Sequence, residues 1–157
     1  MKFKNTVLIP ALLAAVILAT SCGNADKETQ GTAVTDSKMT GEPAVSAKIM
    51  DRGLVVYKTH CFACHQMTGS GIKGIYPPLA ENKTVTGEKT YLIRILLNGM
   101  SGPIEVNGEK YNQVMVPHNF LSDEQIADVL TFVRNSFGNE AAEVEAGEVK
   151  SVRKANR

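Results

Sequence analysis

Cys61-Phe62-Ala63-Cys64-His65 is the stretch on which the reading of this chain turns. C-x-x-C-H is the spacing at which two thiols add to the vinyl groups of a haem, becoming thioethers, while the histidine that follows is held at the iron. One helical turn separates the two sulfurs, and the imidazole follows at once. A bare C-x-x-C would also suit a redox dithiol or half of a zinc site. A dithiol of that kind belongs beside a βαβ pattern, and none is visible. Zinc would need a second pair of ligands at matching spacing. Outside the motif the chain offers only Cys22, His60 and His118 for that purpose.

Upstream, the chain opens Met-Lys-Phe-Lys-Asn, runs apolar from Thr6 to Thr20 and leaves through Ser21-Cys22-Gly23-Asn24. A basic start, a short apolar core and a small-residue exit describe a secretory signal over residues 1–21. The apolar run is short for a membrane span and contains Pro10. Cys22 directly after Ala19-Thr20-Ser21 resembles a bacterial lipobox, in which the cysteine is lipidated and becomes the mature N-terminus. Ala19 stands where leucine is commoner, and ordinary cleavage without lipid is the alternative. Cysteine usage then closes, with Cys22 to lipid and Cys61 and Cys64 to haem. Export agrees with the motif, because covalent haem attachment takes place outside the cytoplasmic membrane. The localisation expected is an exported, membrane-anchored lipoprotein facing the periplasm or cell exterior.

Without residues 1–21 the chain loses Lys2 and Lys4, leaving 15 basic against 16 acidic residues. That balance argues against nucleic acid as a partner, which wants a basic stripe. There is one C-x-x-C-H and no internal repeat, so one haem and one small domain are expected. Residues 22–45 are rich in Gly, Thr, Ser and charge, and read as a flexible linker spanning roughly 25 Å. Residues 139–157 are acidic and then basic, sustain no apolar face, and read as a charged flexible tail.

The domain expected is therefore 46–138. Ile49, Met50, Gly53, Leu54, Val56 and Tyr57 form a helical stripe over about 47–59. Gly53 inside it costs up to ~1 kcal/mol relative to Ala, a cost usually accepted where another helix comes close. Tyr91 to Gly99 reads as a second helix. Ile104 to Tyr111 alternates around Asn107-Gly108, a strong two-residue hairpin signal. Ser122 and Gln125 form a capping box with Leu121 and Ile126 as a staple, opening a helix whose buried face is Ile126, Val129, Leu130, Phe132 and Val133, with Gly138 as its C-cap.

Taken together, Gly53 and Tyr57, the haem motif, Pro77-Pro78-Leu79, Gly102-Pro103, Met115 with Pro117, and Val129 with Phe132 resemble a class I monohaem cytochrome c. The likeness covers the whole of 46–138. It is similar to the small bacterial c-type domains that serve periplasmic dehydrogenases, nitrite reductases and haem–copper oxidases. The resemblance implies an all-α fold, here with a short β-hairpin insertion before the distal-ligand loop. It implies that the first and last helices of the domain cross at Gly53, against Val129 and Phe132. It implies that the Pro77 carbonyl accepts the His65 ring proton, a general way to orient a ligand histidine.

The resemblance also implies the sixth ligand. Thioether sulfur suits the iron of electron carriers and raises the potential. Of the methionines after the motif, Met67 is too close to His65 to reach the opposite face, and Met100 follows the second helix. Met115 stands where the family places its distal ligand, although Val116 replaces the proline many relatives carry next. His118 is the rival ligand, and His60 reads as a polar surface residue. Leu79, Ile93, Leu97 and Phe132 are expected to line the gap between His65 and Met115. Phe62, Ala63, Met67, Ile72, Val116 and Pro117 are expected to rim the exposed haem edge.

With both axial positions filled, the function implied is electron carriage between exported or membrane-bound redox partners such as a dehydrogenase, nitrite reductase or terminal oxidase, and not enzymatic turnover. The alternatives are a haem subunit of a larger oxidoreductase, or a peroxidase-like or sensor protein with a displaceable sixth ligand.

Overall fold

In the computed structural model of the chain, residues 45–156 are described. The signal, Cys22 and the linker up to residue 44 lie outside them. In chain order the elements are α1 (Ala47–His60), α2 (Phe62–His65), α3 (Lys83–Thr86), α4 (Lys89–Asn98), β1 (Ile104–Val106), β2 (Glu109–Tyr111), α5 (Asp123–Arg134) and α6 (Ala146–Ala155). None of these helices is long and apolar enough to cross a membrane.

The fold is organised by the crossing of α1 and α5. A Cβ on Gly53 would lie 2.3 Å from the Asp128 carbonyl oxygen and 2.5 Å from Phe132 Cβ. Only a residue without a side chain lets the two backbones come so near. The residue before Gly53, Arg52, forks onto Asp128 through Nε and Nη2, both at 2.6 Å. On the other side of the crossing the Tyr57 ring stands 5.4 Å from Phe132 and 5.3 Å from Phe137, and those two stand 5.6 Å apart, nearly perpendicular. Such edge-on trios bury large areas and favour tilted geometry. The Tyr57 hydroxyl donates to the Gln66 carbonyl at 2.6 Å, tying α1 to the turn after α2. Val56, Ile93, Leu97, Ile126 and Val129 complete the core around the crossing.

Local signals set the ends of the elements. Ser122 accepts from the Gln125 amide at 3.2 Å while the Gln125 side chain accepts from the Ser122 amide at 2.9 Å, the reciprocal box expected. Glu88 caps α4 by accepting from the Thr90 and Tyr91 amides, and those bonds hold its carboxyl below the usual carboxylate range. The hairpin pairs Ile104 with Tyr111 and Val106 with Glu109. Asn107 and Gly108 both take positive φ, as its two-residue turn requires.

Two expectations need correction. The last helix of the 46–138 region ends at Arg134, not at Phe137-Gly138. Asn135 turns its side-chain amide back onto the Thr131 carbonyl at 3.0 Å, and Phe137 takes a φ of 59° that swings its ring onto Tyr57.

Residues 139–156, read as a flexible tail, are instead packed onto the domain. Val144, Val149 and Val152 are buried in the common core. Buried Asn139 donates to the carbonyls of Leu79 at 2.8 Å and Val133 at 2.9 Å. Thr131 and Val144 exchange hydrogen bonds of 2.9 and 3.3 Å. Buried Arg134 donates to the carbonyls of Ala142, Val85 and Gly87 at 2.9, 2.8 and 2.8 Å. Lys89 meets Glu148 at 3.1 Å. The apolar face of the segment is short, with Val149 and Val152 its buried positions on α6, and polar ties to carbonyls supply much of the rest.

Candidate functional site

The motif follows α1 directly, with Cys61 as the C-cap of α1 and the N-cap of α2. The Cys61 amide donates to the Tyr57 carbonyl at 2.9 Å, and the His65 amide donates to the Cys61 carbonyl at 2.9 Å. The single turn of α2 thus presents Cys61, Cys64 and His65 from one short rigid piece, with both cysteines half-buried and His65 buried. Burial, helped by Cys64, pushes the Cys61 thiol up to about 11. Before any modification this sulfur is therefore a neutral thiol at neutral pH.

His65 Nδ1 lies 3.1 Å from the Pro77 carbonyl oxygen. A carbonyl only accepts, so Nδ1 carries the proton and Nε2 keeps a free lone pair. Burial holds the imidazole below its ordinary range, against the opposing pull of the Pro77 carbonyl. The proline segment is itself pinned, because the Leu79 and Ala80 amides donate to the Gly69 carbonyl at 2.7 and 3.0 Å.

Beside His65 opens a cavity of about 370 Å³, within the range of cofactor pockets, roughly 300–1,000 Å³. Cys61, His65 and Pro77 contribute to its wall; α4 adds Leu92, Ile95 and Leu96, and α5 adds Val129, Leu130 and Val133. Leu79 lines it as expected, whereas Ile93 and Leu97 sit in the core behind α4, and Phe132 belongs to the aromatic trio. The helical pattern of α4 carries both sets, and the facing of the two stripes is decided only by what packs on each side.

Met100 and Met115 both line the cavity. Their backbones form an antiparallel bridge with both N···O distances 2.9 Å. Directly opposed residues of such a pair project their side chains to the same face. The structure therefore brings the two methionines together, where sequence reasoning had separated them. Gly99, with a φ of 72°, closes this junction: a Cβ there would lie 2.5 Å from the Met115 carbonyl oxygen.

His118 also reaches the cavity wall. Its amide donates to the Leu96 carbonyl at 2.7 Å, and its Nδ1 is buried without a hydrogen-bond partner among the described residues. His60, read as a surface residue, has its ring 5.4 Å from Phe120 and 6.5 Å from His118. Phe62, Ala63, Met67, Ile72, Val116 and Pro117 are all exposed. Val114, Ile75 and Phe120 are exposed apolar residues that sequence reasoning missed. Val114 and Phe120 flank Met115 closely enough in sequence to have been nominated.

The donors present fit a covalently held haem. Two half-buried thiols stand one turn apart, the next residue is a buried imidazole with one nitrogen committed and the other free, and an apolar cavity adjoins them. A zinc reading lacks its partners, since no group of three or more His, Cys, Asp or Glu side chains among the described residues is placed to hold a metal ion.

Comparison with known proteins agrees. Residues 50–137 match the cytochrome c family. The chain is 44% identical over 91 residues to cytochrome c-552 of Thermus thermophilus, covering 55% of this chain and 69% of that protein. It is 34% identical over 105 residues to the cytochrome c subunit of a quinone alcohol dehydrogenase of Gluconobacter oxydans. It is 40% identical over 106 residues to the cytochrome c subunit of gluconate 2-dehydrogenase of Pantoea cypripedii. These matches cover 64% and 65% of this chain but only 22% and 24% of the two subunits. The chain belongs to the cytochrome c family, as a class I monohaem member with one covalently bound haem c.

Proposed function

We propose that this chain carries single electrons between exported redox proteins through a haem ligated by His65 and Met115. The observation that carries the reading is the His65–Pro77 hydrogen bond of 3.1 Å, which commits Nδ1 and leaves Nε2 for iron at the wall of a cavity that Met115 also lines. When bound, the haem supplies a one-electron couple. The protein's part would be to hold His65 and Met115 in place in either oxidation state, so that little rearrangement accompanies transfer. Pro77 orients the proximal ring. The Met100 bridge fixes the Met115 backbone, and the apolar walls exclude water.

Attachment through Cys61 and Cys64 and proximal ligation by His65 follow from the motif. Cys22 serves as a lipid anchor and places the domain at a membrane, facing the periplasm or cell exterior. The partner is a dehydrogenase in the first instance, because relatives include cytochrome subunits of alcohol, gluconate and fructose dehydrogenases. A nitrite reductase or terminal oxidase fits the same chemistry as electron acceptor. The exposed Phe62, Met67 and Val116 suit small, brief encounters recognised by shape.

The same relatives favour a second reading, in which the chain is a permanent haem subunit of a larger oxidoreductase. Absorption and redox titration of the purified full chain test the first. A ferric near-infrared band from methionine ligation and a reversible one-electron wave are expected. Absence of the band, with ready binding of carbon monoxide by the resting ferrous protein, would point instead to a displaceable sixth ligand. Co-purification in fixed ratio with a dehydrogenase would favour the second reading.

A further inference from the structure

The loop between Tyr111 and Leu121 carries the proposed sixth ligand yet has little buried surface of its own. Tyr111 and Leu121 are buried, but between them only Met115 and His118 are even half-buried. A segment so poor in apolar burial opens easily unless polar ties hold it. Two such ties are the Met100–Met115 bridge and the bond from the His118 amide to the Leu96 carbonyl.

The third comes from α6. Arg153 donates from Nη1 to the Asn119 carbonyl at 2.8 Å and from Nη2 to the Leu121 carbonyl at 2.8 Å. Its Nε donates to Asp123 Oδ1 at 2.7 Å, with both side chains 23% exposed. The planar fork of arginine suits this three-way grip, which a lysine cannot reproduce. α6 is a firm base for it, because Val149 and Val152 are buried and Lys89 pairs with Glu148 near its N-terminus. α6 also lies beyond residues 50–137, the part that matches the family.

We propose that Arg153 is a positioning residue: it holds the loop that carries Met115, so that α6 sets how tightly the sixth ligand stays on the iron. The inference rests on Met115 as that ligand. In the ferric protein an external ligand enters only when the loop opens, so a looser loop shows as tighter apparent binding of that ligand. Charged hydrogen bonds of this kind are each worth enough to change an equilibrium about tenfold.

The test uses the full-length haem-loaded protein, with imidazole as the external ligand. Arg153→Ala should raise the apparent affinity of the ferric protein for imidazole about tenfold and speed amide exchange of Val114 to Phe120 by a similar factor. Arg153→Lys and Asp123→Asn, which disturb the fold less, should move both readings the same way by a smaller factor. Lys89→Ala, which removes the ion pair near the other end of α6 without touching the loop, should leave both within about twofold. Equal effects of Arg153→Ala and Lys89→Ala, or no effect of either on loop exchange, would overturn the proposal. If Met115→Ala binds imidazole no better than the unaltered protein, the ligand assignment is what fails. Loop exchange in the Arg153 variants then decides by itself whether Arg153 holds the loop.

Discussion

Met100 and Met115 exchange both of their backbone hydrogen bonds, N to O at 2.9 Å in each direction, and both reach the wall of the haem cavity. Side-by-side methionines make the choice of ligand an experimental question with two separable answers. Met115→Ala should keep the covalent haem and open the sixth position. The near-infrared band should vanish, the potential should fall, and ferrous protein should take up carbon monoxide readily. Met100→Ala should retain the band, with at most a small stability loss from the emptied volume, about 2–3 kcal/mol. The reverse pattern would assign the sulfur to Met100 and leave electron carriage intact.

Arg134 is the buried cation that ties residues 139–156 to the domain, through the carbonyls of Ala142, Val85 and Gly87. Burial lowers its pKa somewhat, but an arginine stays charged. Replacing it with alanine strands three carbonyls, at about 3 kcal/mol or more in total. Thermal unfolding of Arg134→Ala should therefore move down by about 10 °C or more. Arg134→Lys should recover only part of the loss, since an ammonium cannot span the same three acceptors. An unchanged melting temperature would mean that the three Arg134 bonds add nothing to the stability of the domain.

What was legible in the sequence was local. Cys61 to His65, Asn107-Gly108 and the Ser122–Gln125 box each carry their geometry within five residues, and each forms as read. Gly53 was legible because a glycine in an apolar helix stripe needs a neighbour, and its neighbour is Asp128 and Phe132. The C-terminal helix was not. Its buried positions are only Val149 and Val152, and the ties before it run from Asn139 and Arg134 to backbone carbonyls far away in sequence. Polar side chains bound to carbonyls look like surface residues until the fold supplies the acceptor. The Met100–Met115 pairing was hidden for the same reason, being a contact between two loops with no pattern of their own.

Cys22 makes the proposed anchoring separable from the haem chemistry, because it stands outside the folded domain in sequence. Cys22→Ser should release the protein into the soluble fraction while leaving its haem spectrum unchanged. Mass spectrometry of the unaltered protein should show acyl chains on the N-terminal cysteine; more than one chain is needed for stable anchoring. Unaltered protein that is soluble and carries no acyl mass would eliminate the lipid anchor and leave ordinary signal cleavage.

Gly99 bears on Met115, the proposed sixth ligand, through the backbone. It sits at a φ of 72°, and a Cβ there would come within 2.5 Å of the Met115 carbonyl oxygen and 3.0 Å of the Pro117 ring. Gly99→Ala meets two penalties at once. At this φ and a ψ of −174° the backbone lies in a region open essentially only to glycine, at about 1–3 kcal/mol for a residue with a side chain, and the new methyl presses on the Met115 carbonyl. Backbone cannot rotate aside as a side chain does, so the bridge to Met100 has to lengthen. Relative to the unaltered protein, the ferric variant should lose its near-infrared band at lower temperature and bind imidazole more tightly. The proximal side is untouched, so both thioethers and the reduced absorption bands that report haem attachment should persist. A variant that unfolds globally at the same temperature at which the band is lost would show a stability effect alone. Loss of the band well below global unfolding is the expected result, and it would mark the junction of Gly99 with Met115 as the place where the sixth ligand is held.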